Sequence, residues 1–486
     1  MEKMKILRFR AVKRLRKYHV SIIYKTAVEL TERTIATAEA FGLGIDGEKQ
    51  FIICDTDIDV NEGDVVYITG DSGSGKSSIL REFKKTFIND VADINELEID
   101  INKPLVDSVE ATIDEALRIL SAVGLNDAFL FLRKFPELSD GQKYRYRLAK
   151  LIESKKKVWV CDEFCSTLDR DTAKIVSFNV QKIARQLGIT VLVATCNLDL
   201  NADLNPSVRI DKRYGQEIKI TYNTNVAAKE CSLISEMHLE KGTYADWKIL
   251  APFHYRSHYA PPPKAIFNLI RQNERSEREL CGVIVYSCPP LAVFGRKRFF
   301  NRPIKVAELN QILTIISRVV VHPKYRTIGL GQKIVRESLP QAPTRYTETV
   351  AVMAKYNPFF EKAGMRKIEE KALEEPIAKF NAFVKSLGFD VRYMSSEGYI
   401  TRFLNEHPDT FEQIRKVLIM LATHLIFRKV VSAERFASNV DYKNAIANAP
   451  RDTIIHMIRT AGVMTQPKIY LVFDKEWLNV AKESAT

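Results

Sequence analysis

The pattern of apolar and polar positions divides the chain into three stretches. Up to about residue 225, short strand-like runs at 65–69, 157–160 (basic at Lys157, then apolar) and 191–194 stand between longer amphipathic segments. Runs of this length, bounded by polar residues, predict buried strands. Two more strand-like segments, 207–210 and 217–222, flank a Tyr214-Gly215 turn. From about 230 to 370 strands alternate with helices. A β-branched run over 312–321 precedes a helix that places Leu330, Ile334, Val335 and Leu339 on one face, and 346–353 predicts a further strand. The remainder, 371–486, reads as mostly helical with one strand at 468–473. Its apolar run 417–427, interrupted by Thr423 and His424, predicts a buried helix.

The pattern therefore predicts an α/β chain with domains at 1–225 and 230–370 and a mostly helical C-terminal region at 371–486. The length of 486 residues suits two or three domains at roughly 150 residues each. No apolar run reaches the roughly 18–20 residues that span a bilayer. The N-terminus has no apolar signal-peptide core, and the seven cysteines form no CxxC pair. A cytoplasmic protein with reduced thiols and no membrane partner is expected. The net charge of +13 changes the picture further. It concentrates at Lys3, Lys5, Arg8, Arg10, Lys13, Arg14, Arg16 and Lys17, and again between Arg296 and Arg302, where Phe299 and Phe300 interleave with the cations. Such clustering predicts a polyanionic partner, with nucleic acid preferred. A solvated surface serving solubility is the plain alternative.

The 65–69 strand runs into Gly70-Asp71-Ser72-Gly73-Ser74-Gly75-Lys76-Ser77, and a helical pattern follows. A strand–GxxxxGKS–helix unit cradles phosphates: glycines let backbone N–H groups close around them, and the helix N-terminus adds positive potential. Gly70, Ser72, Gly73, Gly75 and Ser78 are candidate cradle residues. Lys76 is expected to reach the β- and γ-phosphates and Ser77 to hold Mg²⁺. The 157–160 strand ends in Cys161-Asp162-Glu163. Asp162 is the second candidate Mg²⁺ ligand, and Glu163, with Lys76, is a catalytic candidate that polarises the attacking water.

Leu138-Ser139-Asp140-Gly141-Gln142 precedes these carboxylates and Ser166-Thr167-Leu168-Asp169 follows them. The four motifs, in this order over about residues 40–225, resemble the ABC ATPase family: Walker A, signature, Walker B and D-loop. The resemblance implies ATP as ligand and a head-to-tail, ATP-dependent homodimer. In it Ser139 and Gly141 of one copy would cap the γ-phosphate held by Lys76 of the other. There are departures. Asp140 stands where the signature normally has Gly, and Cys196 stands where a switch histidine is usual. No Gln lies between the Walker A loop and the signature, and that interval is short. These departures argue against a transporter and suggest slow hydrolysis. Phe41 is a candidate to stack on adenine, with an ordinary core Phe as the alternative.

In the second region, His322-Pro323-Lys324-Tyr325-Arg326-Thr327-Ile328-Gly329-Leu330-Gly331 joins strand to helix, another candidate anion cradle. Asn357-Pro358-Phe359-Phe360-Glu361-Lys362-Ala363-Gly364-Met365 follows the next strand. This order resembles the GNAT acyltransferases over about 230–370. The resemblance implies an acyl-CoA cosubstrate, acetyl-CoA in the first instance, with its pyrophosphate on Arg326, Gly329, Gly331 and Gln332. A tyrosine general acid would fall at Phe359 or Phe360, so Tyr356, one turn earlier, is the candidate. Glu308 is the nearest carboxylate base, and Ser317 a candidate to hold a water. His254, with Tyr255, Arg256 and His258, is a candidate acceptor-site residue, or part of a polar surface loop. The whole layout resembles predicted archaeal and phage ATPase–acetyltransferase fusions. Three functions are therefore expected in turn: an ATP-regulated acyltransferase on nucleic acid or a nucleic-acid-bound substrate; one acting on a protein or small amine; or an ATPase switch carrying a non-catalytic GNAT-like module.

Overall fold

The structure is a computed structural model that describes residues 16–26, 29–43, 49–87, 90–109, 112–125, 128–254, 258–272, 277–352, 357–370, 375–421, 427, 430–431, 438–464 and 468–477. Two compact units divide the chain: Met1–Val285 with Arg318–Ser338, and Tyr286–Ser317 with Leu339–Thr486.

The first unit opens with an antiparallel ribbon, β1 (Arg16–Thr26) against β2 (Lys49–Val60). Val20 and Ile22 on one strand and Cys54, Ile58 and Val60 on the other enter a core with Ile68, Ile79 and Phe83. The principal sheet comprises β3 (Val65–Gly70), β4 (Val91–Asp93), β5 (Val158–Cys161), β6 (Thr190–Thr195), β7 (Val208–Lys212) and β8 (Ile218–Tyr222). Their order is β4-β5-β6-β3-β7-β8, parallel except for the antiparallel β8. All residues of β5 and β6 are buried, which is why these strands read as unbroken apolar runs. The register Val65↔Val191 and Val158↔Thr190 brings the carboxyl ends of β3, β5 and β6 to one edge of the sheet. That edge is where ligands bind in open parallel sheets. The helix Arg170–Leu187 packs Val176, Val180 and Ala184 into the core on one face.

Beyond β8 the first unit adds β9 (Met237–Lys241), β10 (Pro263–Gln272) and most of β11 (Arg278–Ser287). The second unit holds β13 (Tyr346–Ala351), β14 (Arg366–Glu370) and β15 (Ile469–Asp474). β11 and β12 (Leu313–Val321) contribute residues to both units; the strand order is β9-β10-β11 in the first and β12-β13-β15-β14 in the second. β12 and β13 are parallel, joined by the helix Leu330–Ser338, whose Leu330, Ile334 and Val335 are buried as the pattern requires.

The boundary expected at 371 is not one the sheet respects. β15 pairs antiparallel with β13 on one side and β14 on the other. All six of its residues are buried, so it belongs to the sheet of the preceding region. The helices between, among them Glu375–Ser386, Glu397–Glu406, Thr410–Leu418 and Arg451–Met464, form an insertion around Phe380, Phe403, Ile414 and Ile458. The 417–427 run is not one helix: Thr410–Leu418 ends in a short turn at Ile419–Leu421, and 422–426 lie outside the described residues. No helix among the described residues is long and apolar enough to cross a membrane. All seven cysteines are unpaired.

Candidate functional site

The phosphate cradle forms at the carboxyl end of β3. Gly70 has φ +137°, and a Cβ there would meet the Lys212 carbonyl oxygen of β7 at 1.8 Å. Gly75 has φ +99°, and its Cβ would meet Ile53 Cγ2 at 2.3 Å. Both positions therefore exclude a side chain, which lets the loop turn tightly into the helix Lys76–Thr86. The Lys76 ammonium is buried inside this turn and donates to the carbonyls of Gly70 (3.0 Å) and Asp71 (2.6 Å). The Tyr214 hydroxyl donates to the Ser72 carbonyl at 2.7 Å, over Gly73. Ser78 is buried in the first turn of the helix Lys76–Thr86, and its N–H donates to the Gly75 carbonyl at 3.1 Å.

Ser77 donates to Asp162 Oδ1 at 3.0 Å, and the same oxygen accepts the Glu163 N–H at 2.9 Å. A hydroxyl and a carboxylate converge beside a helix N-terminus. Two hard oxygen donors next to a phosphate site fit Mg²⁺, which takes one or two protein ligands and completes its shell with phosphate and water. Glu163 is exposed, with φ +48°, in a left-handed conformation costly for a non-glycine residue. Asn95, just beyond β4, donates from Nδ2 to the Asp162 carbonyl at 3.4 Å. The sequence showed no glutamine in this interval. The shorter carboxamide bonds the Asp162 main chain, and its signal was an Asn two residues past the β4 strand.

Ser139 caps the helix Asp140–Glu153, its hydroxyl accepting from the Gln142 N–H at 3.4 Å and its N–H donating to Gln142 Oε1 at 3.1 Å. Gly141 faces Thr172 of the next helix. Neither makes a hydrogen bond to the cradle among the described residues. Phe41 is 76% exposed, which excludes a core role for its ring. Cys196, at the expected switch position, is exposed. Its neighbour Asn197 accepts from Arg170 Nη1 at 3.1 Å and from the Tyr67 hydroxyl.

The second cradle follows β12. Gly329 is exposed at φ +94°, with open space where a Cβ would point, before the helix Leu330–Ser338. Gln332 and Gly331 are half-buried. The Arg326 side chain turns back to donate to the carbonyls of Val321 (3.3 Å) and Phe253 (3.4 Å). His254 is half-buried, its ring 6.1 Å from that of Trp247. Tyr356 lies outside the described residues, as do Tyr255 and Arg256.

In the second unit Ser287 and Ser317 pair their hydroxyls at 2.8 Å. Glu308 is committed to Arg302, whose hydrogen bonds hold its carboxyl below the usual range, so it is no free base. A strand-borne glutamate does exist: Glu348 on β13, fully buried. It takes the Arg296 guanidinium at 2.6 and 3.1 Å and the Tyr470 hydroxyl at 2.9 Å. Burial, then the Glu348 charge, raises the Tyr470 hydroxyl well above its ordinary value.

This corrects the 296–302 segment as a nucleic-acid surface. Arg296 is buried against Glu348, Arg302 is paired with Glu308, and the Phe299 and Phe300 rings lie edge-on to Tyr346 at 5.9 and 5.0 Å. Only Lys297 and Arg298 of its four cations remain exposed and outside an ion pair among the described residues. The other basic cluster, at 3–17, lies almost wholly outside the described residues.

A phosphate cradle at the end of a central parallel strand, with Ser and Asp converging beside it, defines a P-loop nucleotide-binding domain. No family model matches the chain. The methionine import ATP-binding protein MetN of Clostridium tetani is 32% identical over 195 residues, 32% of this chain and 60% of that protein. The spermidine/putrescine import ATP-binding protein PotA of Aliivibrio fischeri is 26% identical over 179 residues, 30% of this chain and 47% of that protein. The chain thus spans about half the length of the curated relatives it matches. Among solved structures, a dimeric post-hydrolysis state of the ATP-binding cassette MJ0796, bound to ADP and Pi, is 16% identical, covering 43% of this chain and 100% of that one at a TM-score of 0.32. About 40% of the chain is an ABC-type P-loop ATPase domain.

Proposed function

We propose that the chain is an ATP-hydrolysing, ATP-dimerising enzyme whose cassette controls an acyl-CoA-dependent acyltransferase. The observation that carries the ATPase half is the 3.0 Å approach of Ser77 to Asp162 beside the Lys76 loop. Lys76 neutralises the β- and γ-phosphates; Ser77 and Asp162 would hold Mg²⁺, which would supply charge neutralisation at the transferred phosphoryl group. Glu163 accepts the proton of the attacking water as the γ-phosphorus–oxygen bond breaks. Asn95 takes the place of the missing glutamine. Ser139 and Gly141 act on the nucleotide of a second copy. With Cys196 in place of a switch histidine, turnover is slow.

The acyltransferase half rests on the strand–loop–helix–strand unit from β12 to β13 and the open space at Gly329. Acetyl-CoA would place its pyrophosphate on the N–H groups around Gly329 and Gly331, with Gln332 at its side. An amine acceptor attacks the thioester carbon, the C–S bond breaks, and CoA leaves as the thiol. His254 is the described candidate for the acceptor's proton, and Tyr356 the sequence candidate for protonating the sulfur. The +13 net charge supports nucleic acid, or a substrate bound to it, as the acceptor. The turned-back Arg326 favours a second reading, a GNAT-like module that binds and does not catalyse. Calorimetric titration with acetyl-CoA tests the site: Gly329→Glu fills the cradle with a carboxylate and should abolish binding. Unchanged affinity in that variant removes the acyl-CoA reading.

A further inference from the structure

We propose that the nucleotide state of the cassette controls the 322–331 loop, through Arg145, Asp171 and Asn179. Taking this loop as the acyl-CoA cradle rests on the reading above, but the coupling itself rests on contacts within the first unit. Two helices make these contacts, and both begin at nucleotide-sensing elements. The helix Asp140–Glu153 starts at the signature. One turn after Gly141 its Arg145, 6% exposed, donates to the Lys324 carbonyl at 3.2 Å and the Gly124 carbonyl at 3.5 Å. The helix Arg170–Leu187 starts at Asp169, seven residues past the Walker B Asp162. Its Asp171 takes the Lys324 ammonium at 2.6 Å and Arg271 at 2.6 Å. Two turns on, Asn179 donates to the Thr327 hydroxyl at 2.6 Å.

The loop is therefore held at three points by side chains of the cassette. Thr327 is β-branched and sits at φ +79°, a conformation that such a residue adopts only when its surroundings impose it. Asn179 is one such constraint, itself 4% exposed. Arg271 closes the network from β10: it bonds Glu236 at 2.7 Å and the Tyr325 hydroxyl at 3.0 Å, and Tyr325 in turn donates to Glu279 at 2.5 Å. Packed, partly buried charged contacts of this kind hold one geometry or another and do not deform continuously. A shift at the first turn of either helix, where ATP and a second copy would bind, is thus delivered to Lys324 and Thr327. Thermodynamic linkage makes the effect reciprocal: a CoA that orders the loop favours the same cassette state.

The test uses the full-length Glu163→Gln chain, in which hydrolysis is slowed. Hydrogen exchange of the 322–331 amides is measured with and without Mg²⁺ and ATP, and acetyl-CoA is titrated under both conditions. Exchange should change by roughly fivefold or more on adding ATP, and acetyl-CoA affinity by a similar factor, as typical couplings do. Asn179→Ala, and separately Asp171→Asn, should collapse both factors toward one while ATP still binds. Exchange in 322–331 that ignores ATP overturns the proposal, and so does a response that survives both substitutions in folded protein. If exchange responds as described and acetyl-CoA produces no heat, the coupling stands and the acyl-CoA reading falls.

Discussion

Replacing Arg296 by methionine should destabilise the second unit severely. Arg296 and Glu348 form a bidentate pair whose side chains are 7% and 0% exposed. Methionine fills similar volume but leaves the buried Glu348 carboxylate with the Tyr470 hydroxyl as its one remaining partner among the described residues. Breaking a buried pair by removing one member costs about 3–5 kcal/mol, because the remaining charge is uncompensated. At about 2–4 °C per kcal/mol for a unit of this size, that is a fall in Tm of about 6–20 °C. Scanning calorimetry of the full chain measures it, and hydrogen exchange of the β13 and β15 amides assigns the transition. Adding Glu348→Leu to the same chain should recover much of the loss, since an apolar pair replaces the ionic one. Arg296→Met melting within about 1 °C of the parent would refute the account of a structural pair. It would return Arg296 to the surface cations, whose loss flattens the salt dependence of nucleic-acid binding and leaves Tm alone.

Gly70→Ala puts a Cβ 1.8 Å from the Lys212 carbonyl and should eliminate ATP binding by parting β3 from β7; parental affinity in an ATP titration would contradict this. Burial opposes the charge on Asp171, but hydrogen bonds from Arg271 and Lys324 outweigh it and hold the carboxyl below its ordinary value. Its stabilisation is therefore complete above the unfolded pKa, about 4, and is lost as pH falls through the lower folded value. The Tm gap between the parent and Asp171→Asn should be full at about pH 7 and shrink below about pH 4; a gap independent of pH would count against the carboxylate's role.

The strands of the principal sheet were legible because β3, β5 and β6 are covered on both faces and read as plain apolar runs. The P-loop, Asp162 and Glu163 were legible because phosphate and metal chemistry tolerates few residue types at few spacings. What the sequence hid was pairing at long range. Glu348 looks like a polar residue in a strand, and only the fold brings Arg296 and Tyr470 to it. The same contact turns an apparent surface cation into a core residue. β15 reads as a short apolar run, and nothing local says that it pairs between β13 and β14 after a helical insertion. Asn95 was not legible because it is a shorter side chain than glutamine, and only the fold brings it from just past β4 to the Asp162 main-chain carbonyl.

Sedimentation velocity of the full-length Glu163→Gln chain tests the central claim most directly. The account predicts a monomer without nucleotide and a dimer with Mg²⁺ and ATP, the dimer disappearing when Lys76→Ala or Ser139→Glu is added. A Glu163→Gln chain that binds ATP and still sediments as a monomer would contradict it.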